Sequence, residues 1–187
     1  FNRTVDLDPG KNEKLFDSKK EFTDDIYIQK LNEDGDFVWG MTFGGSGNDT
    51  PKSITIDEYN SIYITGSFEK TMEFTIDSKT TSLQSGGSED SFIVKIDSDG
   101  NVEWARNLGL SKANRGKSIH YNKSGNLYLV GEFKGAGYIL PSPNTLYIEN
   151  INFQSIYILK MDTDGTFIWV NSIGSKLSDY VNKVTTD

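Results

Sequence analysis

The seven residues from 90 to 96, Asp-Ser-Phe-Ile-Val-Lys-Ile, put Phe92, Val94 and Ile96 on one side of an extended chain and Ile93 on the other, with Lys95 beyond it. Side chains alternate between the two faces of a strand. Both faces of this segment therefore begin apolar, and the strand must be covered on both sides. The same arrangement stands at Asp25-Ile26-Tyr27-Ile28-Gln29-Lys30-Leu31 and at Ser155-Ile156-Tyr157-Ile158-Leu159-Lys160-Met161. Each copy runs into a turn with glycine, Asp34-Gly35, Asp99-Gly100 and Asp164-Gly165, and then into a tryptophan, Trp39, Trp104 and Trp169, at a constant interval of 65 residues. Self-similarity at a fixed period is the mark of a repeat architecture.

Each period holds four strand-like runs rich in branched and aromatic residues, and none has a sustained helical period. In the middle copy they span about Lys52 to Asp57, Ser61 to Phe68, Ser91 to Asp97 and Val102 to Leu108. Ser98-Asp99-Gly100-Asn101 joins the last two, and Asn122-Lys123-Ser124-Gly125-Asn126 joins the first two of the next copy. Short turns with glycine at the left-handed position close antiparallel hairpins, so each period reads as a four-stranded meander. An isolated sheet of four strands cannot cover both of its own faces. Sheets stacked about 10 Å apart can, and their radial stacking is a β-propeller. A linear β-solenoid is the competing repeat fold, with rungs much shorter than this period.

The pattern predicts an all-β chain, a β-propeller fragment of about three four-stranded antiparallel blades. Residues 1–43 would supply the second half of a blade, 44–108 and 109–173 two complete blades, and 174–187 the first strand of a further one. A propeller takes four to eight blades. Either the natural chain is longer, with its remaining blades completing the ring, or several copies assemble into one ring.

These residues resemble the SBBP family, the seven-bladed β-propeller-type repeats. The resemblance rests on the Gly-rich loop from Gly44 to Asp49, the Ile-Tyr-Ile-Thr-Gly-Ser-Phe strand from Ile62 to Phe68, and the stretch from Asp90 to Trp104. Thr4-Val5-Asp6-Leu7-Asp8-Pro9-Gly10 resembles a further segment of these repeats, and occurs in the first copy alone. The second and third copies depart from the Gly-rich loop, with Gly109-Leu110-Ser111-Lys112-Ala113-Asn114 and Gly174-Ser175-Lys176-Leu177-Ser178-Asp179. The resemblance implies a large secreted or cell-surface bacterial protein, and is specific for fold rather than activity.

Composition narrows the partners. The net charge is −8, and an acidic surface repels phosphate backbones, so nucleic acid is not an expected partner. There is no cysteine, which removes disulfides and thiolate metal sites, and His120 is the lone histidine, read as structural. No run approaches the roughly 18 apolar residues of a transmembrane segment. Asp97-Ser98-Asp99-Gly100 and Asp162-Thr163-Asp164-Gly165 resemble the start of a calcium loop, but the twelfth positions, Leu108 and Ile173, lack the required glutamate. Asp97, Asp99, Asp162 and Asp164 are thus hairpin-turn residues first and weak Ca2+ candidates second; no other cofactor is expected. Lys30, Lys95 and Lys160 read as solvated or paired with carboxylates, and the three tryptophans and Gly35, Gly100 and Gly165 as structural repeat residues.

Function is sought where the copies differ. The long connections from Asn2 to Asp24, Glu69 to Glu89 and Lys134 to Gln154 share little sequence, and long loops on a rigid frame commonly carry binding. In the third, Tyr138 and Tyr147 are candidate ligand contacts. The competing reading makes these connections extra edge hairpins packed on neighbouring blades. Asp49, Asn114 and Asp179 align between blades, and either cap loop amides or face a ligand. The resulting expectation is a noncatalytic extracellular module for binding or adhesion, with a protein or glycan partner. A structural spacer or assembly subunit of a surface protein or filament is the second reading. A carboxylate-based hydrolase or lyase is the third, and requires two facing acids in a pocket.

Overall fold

Sixteen short strands account for the ordered backbone of the computed structural model, which describes residues 1–187 apart from 111, 140–145 and 150–152. In chain order they begin with a hairpin, β1 (Thr4–Asp6) and β2 (Leu15–Asp17), and a longer pair, β3 (Ile26–Leu31) and β4 (Phe37–Gly45). The middle repeat follows as β5 (Asp49–Ile56), β6 (Ile62–Phe68), the hairpin β7 (Thr71–Ile76) and β8 (Lys79–Gln84), then β9 (Asp90–Ile96) and β10 (Val102–Asn107). The last repeat holds β11 (Asn114–Asn122), β12 (Asn126–Phe133), the hairpin β13 (Ala136–Ile139) and β14 (Leu146–Glu149), then β15 (Ser155–Asp162) and β16 (Phe167–Ile173).

Strands β5, β6, β9 and β10 form one antiparallel four-stranded sheet, and β11, β12, β15 and β16 form another with the same order. The third four-stranded sheet is β3-β4-β7-β8. Its second half comes from the middle repeat: the hairpin β7–β8 joins the end of β4 through the pairs Gly44–Glu73 and Gly45–Met72. The connection from Glu69 to Glu89 is therefore an edge hairpin built onto the neighbouring sheet. No ladder forms within 174–187, where a first strand is expected, because no second strand lies beside it. The segment nevertheless runs where a strand would: Val184 N donates to Ser118 Oγ, as Ile119 N donates to Ser53 Oγ one repeat earlier.

Two apolar clusters lie between the sheets. Phe92, Val94 and Ile96 of β9 pack toward the first sheet with Ile26, Ile28 and Phe43. Ile93, from the opposite face of the same strand, joins Leu127, Leu129, Tyr157 and Leu159 of the β11-β12-β15-β16 sheet. The central strand is buried along both faces, as its alternation requires. In the last sheet Tyr157, Leu159 and Met161 are buried against the middle sheet, while Ile156 and Ile158 on the outer face are half-buried.

The recurrent tryptophans lock sheet to sheet. Trp39 Nε1 donates to the Ser98 carbonyl at 3.1 Å, and Trp104 Nε1 to the Thr163 carbonyl at 3.2 Å. Each acceptor belongs to the glycine turn of the following sheet. Gly100 has φ of 91° and Gly165 of 86°, in the left-handed region, and a Cβ on either would stand 3.0 or 3.3 Å from the tryptophan ring laid against it. The glycine thus serves both the turn and the ring. The first residue of each turn organises it. Asn32, Asp97 and Asp162 each accept, on Oδ1, backbone N–H bonds from the residues two and four positions on.

Trp104, 9% exposed and docked on the next turn, should cost about 3–5 kcal/mol when replaced by alanine. Trp169, half-buried with no following turn to receive it, should cost about 1 kcal/mol or less, because its truncation opens little cavity. Urea unfolding of W104A and W169A compares them. Gly100→Ala should likewise cost more than Gly125→Ala, although both have positive φ, because a Cβ on Gly125 meets nothing within 4 Å. The strain common to both is about 1–2 kcal/mol.

Candidate functional site

The sheets fan from a common edge. The first strands of the two complete sheets lie side by side, with Ser53 Oγ bonded to both the N–H and the carbonyl of Ile119, and Thr55 Oγ1 receiving Tyr121 N. At the opposite edge the hairpin β7–β8 packs against β10 and extends β4. Along the inner edge, at the end where the long connections emerge, the two sheets border an open pocket of about 490 Å³. Its walls are repeated positions: a lysine pair, Lys52 and Lys117, and positions whose residue changes between copies, namely Thr50, Arg115 and Tyr180, Ser67 and Glu132, and Glu89 and Gln154.

A backbone irregularity aims the lysines. The ladder between β5 and β6 slips between Pro51 and Ser53, and the ladder between β11 and β12 slips between Gly116 and Ser118. Lys52 and Lys117 are the extra residues of these two bulges. A bulge leaves one residue unpaired and redirects its side chain.

The pocket brings three cations and two carboxylates together in a chain of net charge −8. Glu132, almost fully buried, holds Lys117 at 3.1 Å. Glu89 accepts from Arg115 Nε and from the Ser67 hydroxyl through its two oxygens. Lys52 is exposed and makes no salt bridge among the described residues. Tyr180 is 72% exposed at the rim. Both acids are thus tied to cations.

Asp49, Asn114 and Asp179 lie immediately behind the pocket positions; Asp49 and Asn114 are buried, and Asp179 is half-buried. The backbone N–H of each donates to the residue just before the third strand of the preceding sheet: Asp24, Glu89 and Gln154 respectively. Their side chains brace the junctions. Asp49 Oδ2 accepts Gly45 N at 3.0 Å, and Asp179 Oδ2 accepts Ser175 N at 2.6 Å. Asn114 donates to Asp90 Oδ1 at 2.8 Å and accepts from Ser91 N at 2.7 Å. Burial pushes the Asp90 carboxyl above its ordinary range, against the lowering effect of bonds from Gly86 N, Asn114 and Asn107. Burial also pushes the Asp49 carboxyl up, to about 8.

The remaining candidates are dispersed. Tyr138 pairs through its backbone with Tyr147 across the hairpin β13–β14, and its side chain lies outside the described residues. Tyr147 is exposed, with its hydroxyl 3.4 Å from Glu149. Asp97 and Asp162 spend their Oδ1 atoms on turn amides, while Asp99 and Asp164 are exposed at the turn tips. Among the described residues no three His, Cys, Asp or Glu side chains gather as a metal site. His120 sits within β11, opposite Tyr128. Lys95 pairs with Glu103 at 2.7 Å and lies over Tyr63; Lys160 lies over Tyr128; Lys30 donates to the Ser98 carbonyl.

No motif marks the pocket residues in the sequence. The available signal was the reverse: Thr50, Arg115 and Tyr180 each follow the aligned Asp49, Asn114 and Asp179 by one residue, yet differ in charge and size.

Comparison with known proteins agrees with this geometry. Residues 39–67 match the family model described as SBBP, β-propeller repeat. An uncharacterized WD repeat-containing protein of Acanthamoeba polyphaga mimivirus is 23% identical over 164 residues, which cover 81% of this chain and 12% of that protein. The chain thus spans about an eighth of the length of that relative. No helix among the described residues is long and apolar enough to cross a membrane. The chain is thus an all-β, propeller-type fragment of stacked four-stranded antiparallel sheets, in which residues 39–67 are similar to the SBBP β-propeller repeat.

Proposed function

We propose that these blades form a noncatalytic binding module, and that the pocket at their inner edge receives an anionic group of a protein or glycan ligand. The observation that carries this reading is the bulged pair Lys52 and Lys117. At equivalent positions the backbone departs from regular pairing and turns a cation toward one pocket. Lys117 and Arg115 are held by Glu132 and Glu89, which fixes their heads. Lys52 supplies the uncompensated charge, and Tyr180 an exposed ring for a sugar face or an apolar side chain. Binding contacts grafted onto a regular scaffold are a common use of a repeat fold. The extracellular setting implied by the family resemblance fits a surface protein or glycan as partner.

A structural or assembly role is the second reading. Regular side-by-side contacts in electron micrographs would support that role over ligand capture.

Arrays of acidic and neutral glycans and acidic peptides, probed with the chain and with Lys52→Ala, decide the binding reading. Loss of one charge-assisted contact is worth about 1.5–3 kcal/mol, so K52A should weaken capture of an acidic ligand at least about tenfold and leave neutral ligands unaffected. Capture indifferent to this change and to added salt would place the ligand elsewhere.

A further inference from the structure

The two junctions described above differ in one respect. At the second, the side-chain donor is an amide: Asn114 Nδ2 reaches Asp90 Oδ1. At the first, the corresponding side chains are Asp25 and Asp49, two acids. They are 3% and 2% exposed, and the Oδ1 atom of each has no hydrogen-bond partner. Their other oxygens are engaged, Asp25 Oδ2 by Lys19 N and Asp49 Oδ2 by Gly45 N. The two carboxyl groups border one small space. A Cβ on Gly44 would stand 2.5 Å from Asp25 Oδ1 and 2.8 Å from Asp49 Oδ2. Two adjoining buried carboxyl groups do not both ionise without large cost, and a buried polar atom left without a partner is itself costly. A proton held on one of the two carboxyl groups lessens both costs: it removes one of the adjoining charges and supplies a donor within the shared space.

We propose that the first blade junction is a proton site: Asp49 and Asp25 share one proton between adjacent sheets, in the role the Asn114 amide plays toward Asp90, and the junction weakens when that proton leaves. The charged neighbours assign the proton to Asp49. Glu69 and Asp25 face Asp49, and both disfavour its ionised form. Asp25 is faced by the Lys19 backbone N–H and ammonium, which favour its charge, and by Asp24, which opposes it. Burial is the largest effect on both acids and raises both. The sign of the linkage follows. The folded chain keeps a proton that the unfolded chain releases near pH 4. The contribution of the junction to stability is full below that value, declines as pH rises, and is gone above about pH 8.

Thermal unfolding between about pH 5.5 and 8.5, with the intact chain, Asp49→Asn and Asn114→Asp, tests the assignment, together with a carbon-13 titration of the Asp49 carboxyl. The parent should lose at least about 5 °C in Tm over this range, a shift of the size a few lost contacts give in a chain of this length. D49N should remove most of that slope, with a residue left by Asp90. N114D should steepen it by building a second acid pair. The Asp49 carboxyl should titrate well above pH 6. An Asp49 midpoint near 4, or a D49N slope equal to the parent's, overturns the proposal. So does a Tm raised by millimolar Ca2+ in the parent and not in D49N, which would put a cation between the acids. Should D49N fail to fold, the N114D slope and the parent's carbon-13 midpoint still decide the matter.

Discussion

Sheets of this kind have no unused side. The middle sheet presents Phe92, Val94 and Ile96 to one neighbour and Ile93 to the other, and all four are fully buried. The last sheet keeps the same alternation but has one neighbour, and its Ile158, equivalent to Ile93, is half-buried. Complete burial of such a side chain is worth about 1.5–3 kcal/mol. Several of them on each face make mutual cover the condition on which every other feature depends. Two tryptophans add direction to that cover: Trp39 and Trp104 each reach forward to the glycine turn of the next sheet, so these neighbours stack in one order and one register.

Stacking alone would allow the sheets to lie parallel. Here they splay, because their two edges are filled differently. The inner edges are close enough for Ser53 and Thr55 to bond the backbone of β11. The outer edges are held apart by inserted hairpins, of which β7–β8 extends the strand ladder of one sheet and packs on the last strand of the next. Three connections with dissimilar sequences contain a hairpin at the same place, since what the position demands is bulk and an edge to pair with, not particular residues.

The splay also makes the pocket. Where two inner edges approach at the end carrying the long connections, repeated positions from both sheets face one another. Regular pairing would leave Lys52 and Lys117 within the ladder; the bulges turn them out. Directly behind, the junction residues bear the mechanical load with buried acids and one amide. Pocket lining and bracing are thus divided between adjacent residues: Asp49 and Asn114 inward, Thr50 and Arg115 outward.

Much of this was legible in the chain itself. Strand positions, the four-stranded unit, the turns and the need for neighbours follow from alternation and a constant period, both local properties of the sequence. The turn role of Asp97 and Asp162, and the packing role of Trp39 and Trp104, were legible for the same reason. Edge hairpins packed on neighbouring blades were one of two readings the long connections allowed, but the strand that β7–β8 would extend was not legible, because strand pairing depends on which edge is free. Nor could the sequence reveal that Asp25 and Asp49, 24 residues apart, meet in one buried space. Distance in space, burial and the loss of water decide whether two acids share a proton, and only the packed sheets supply all three.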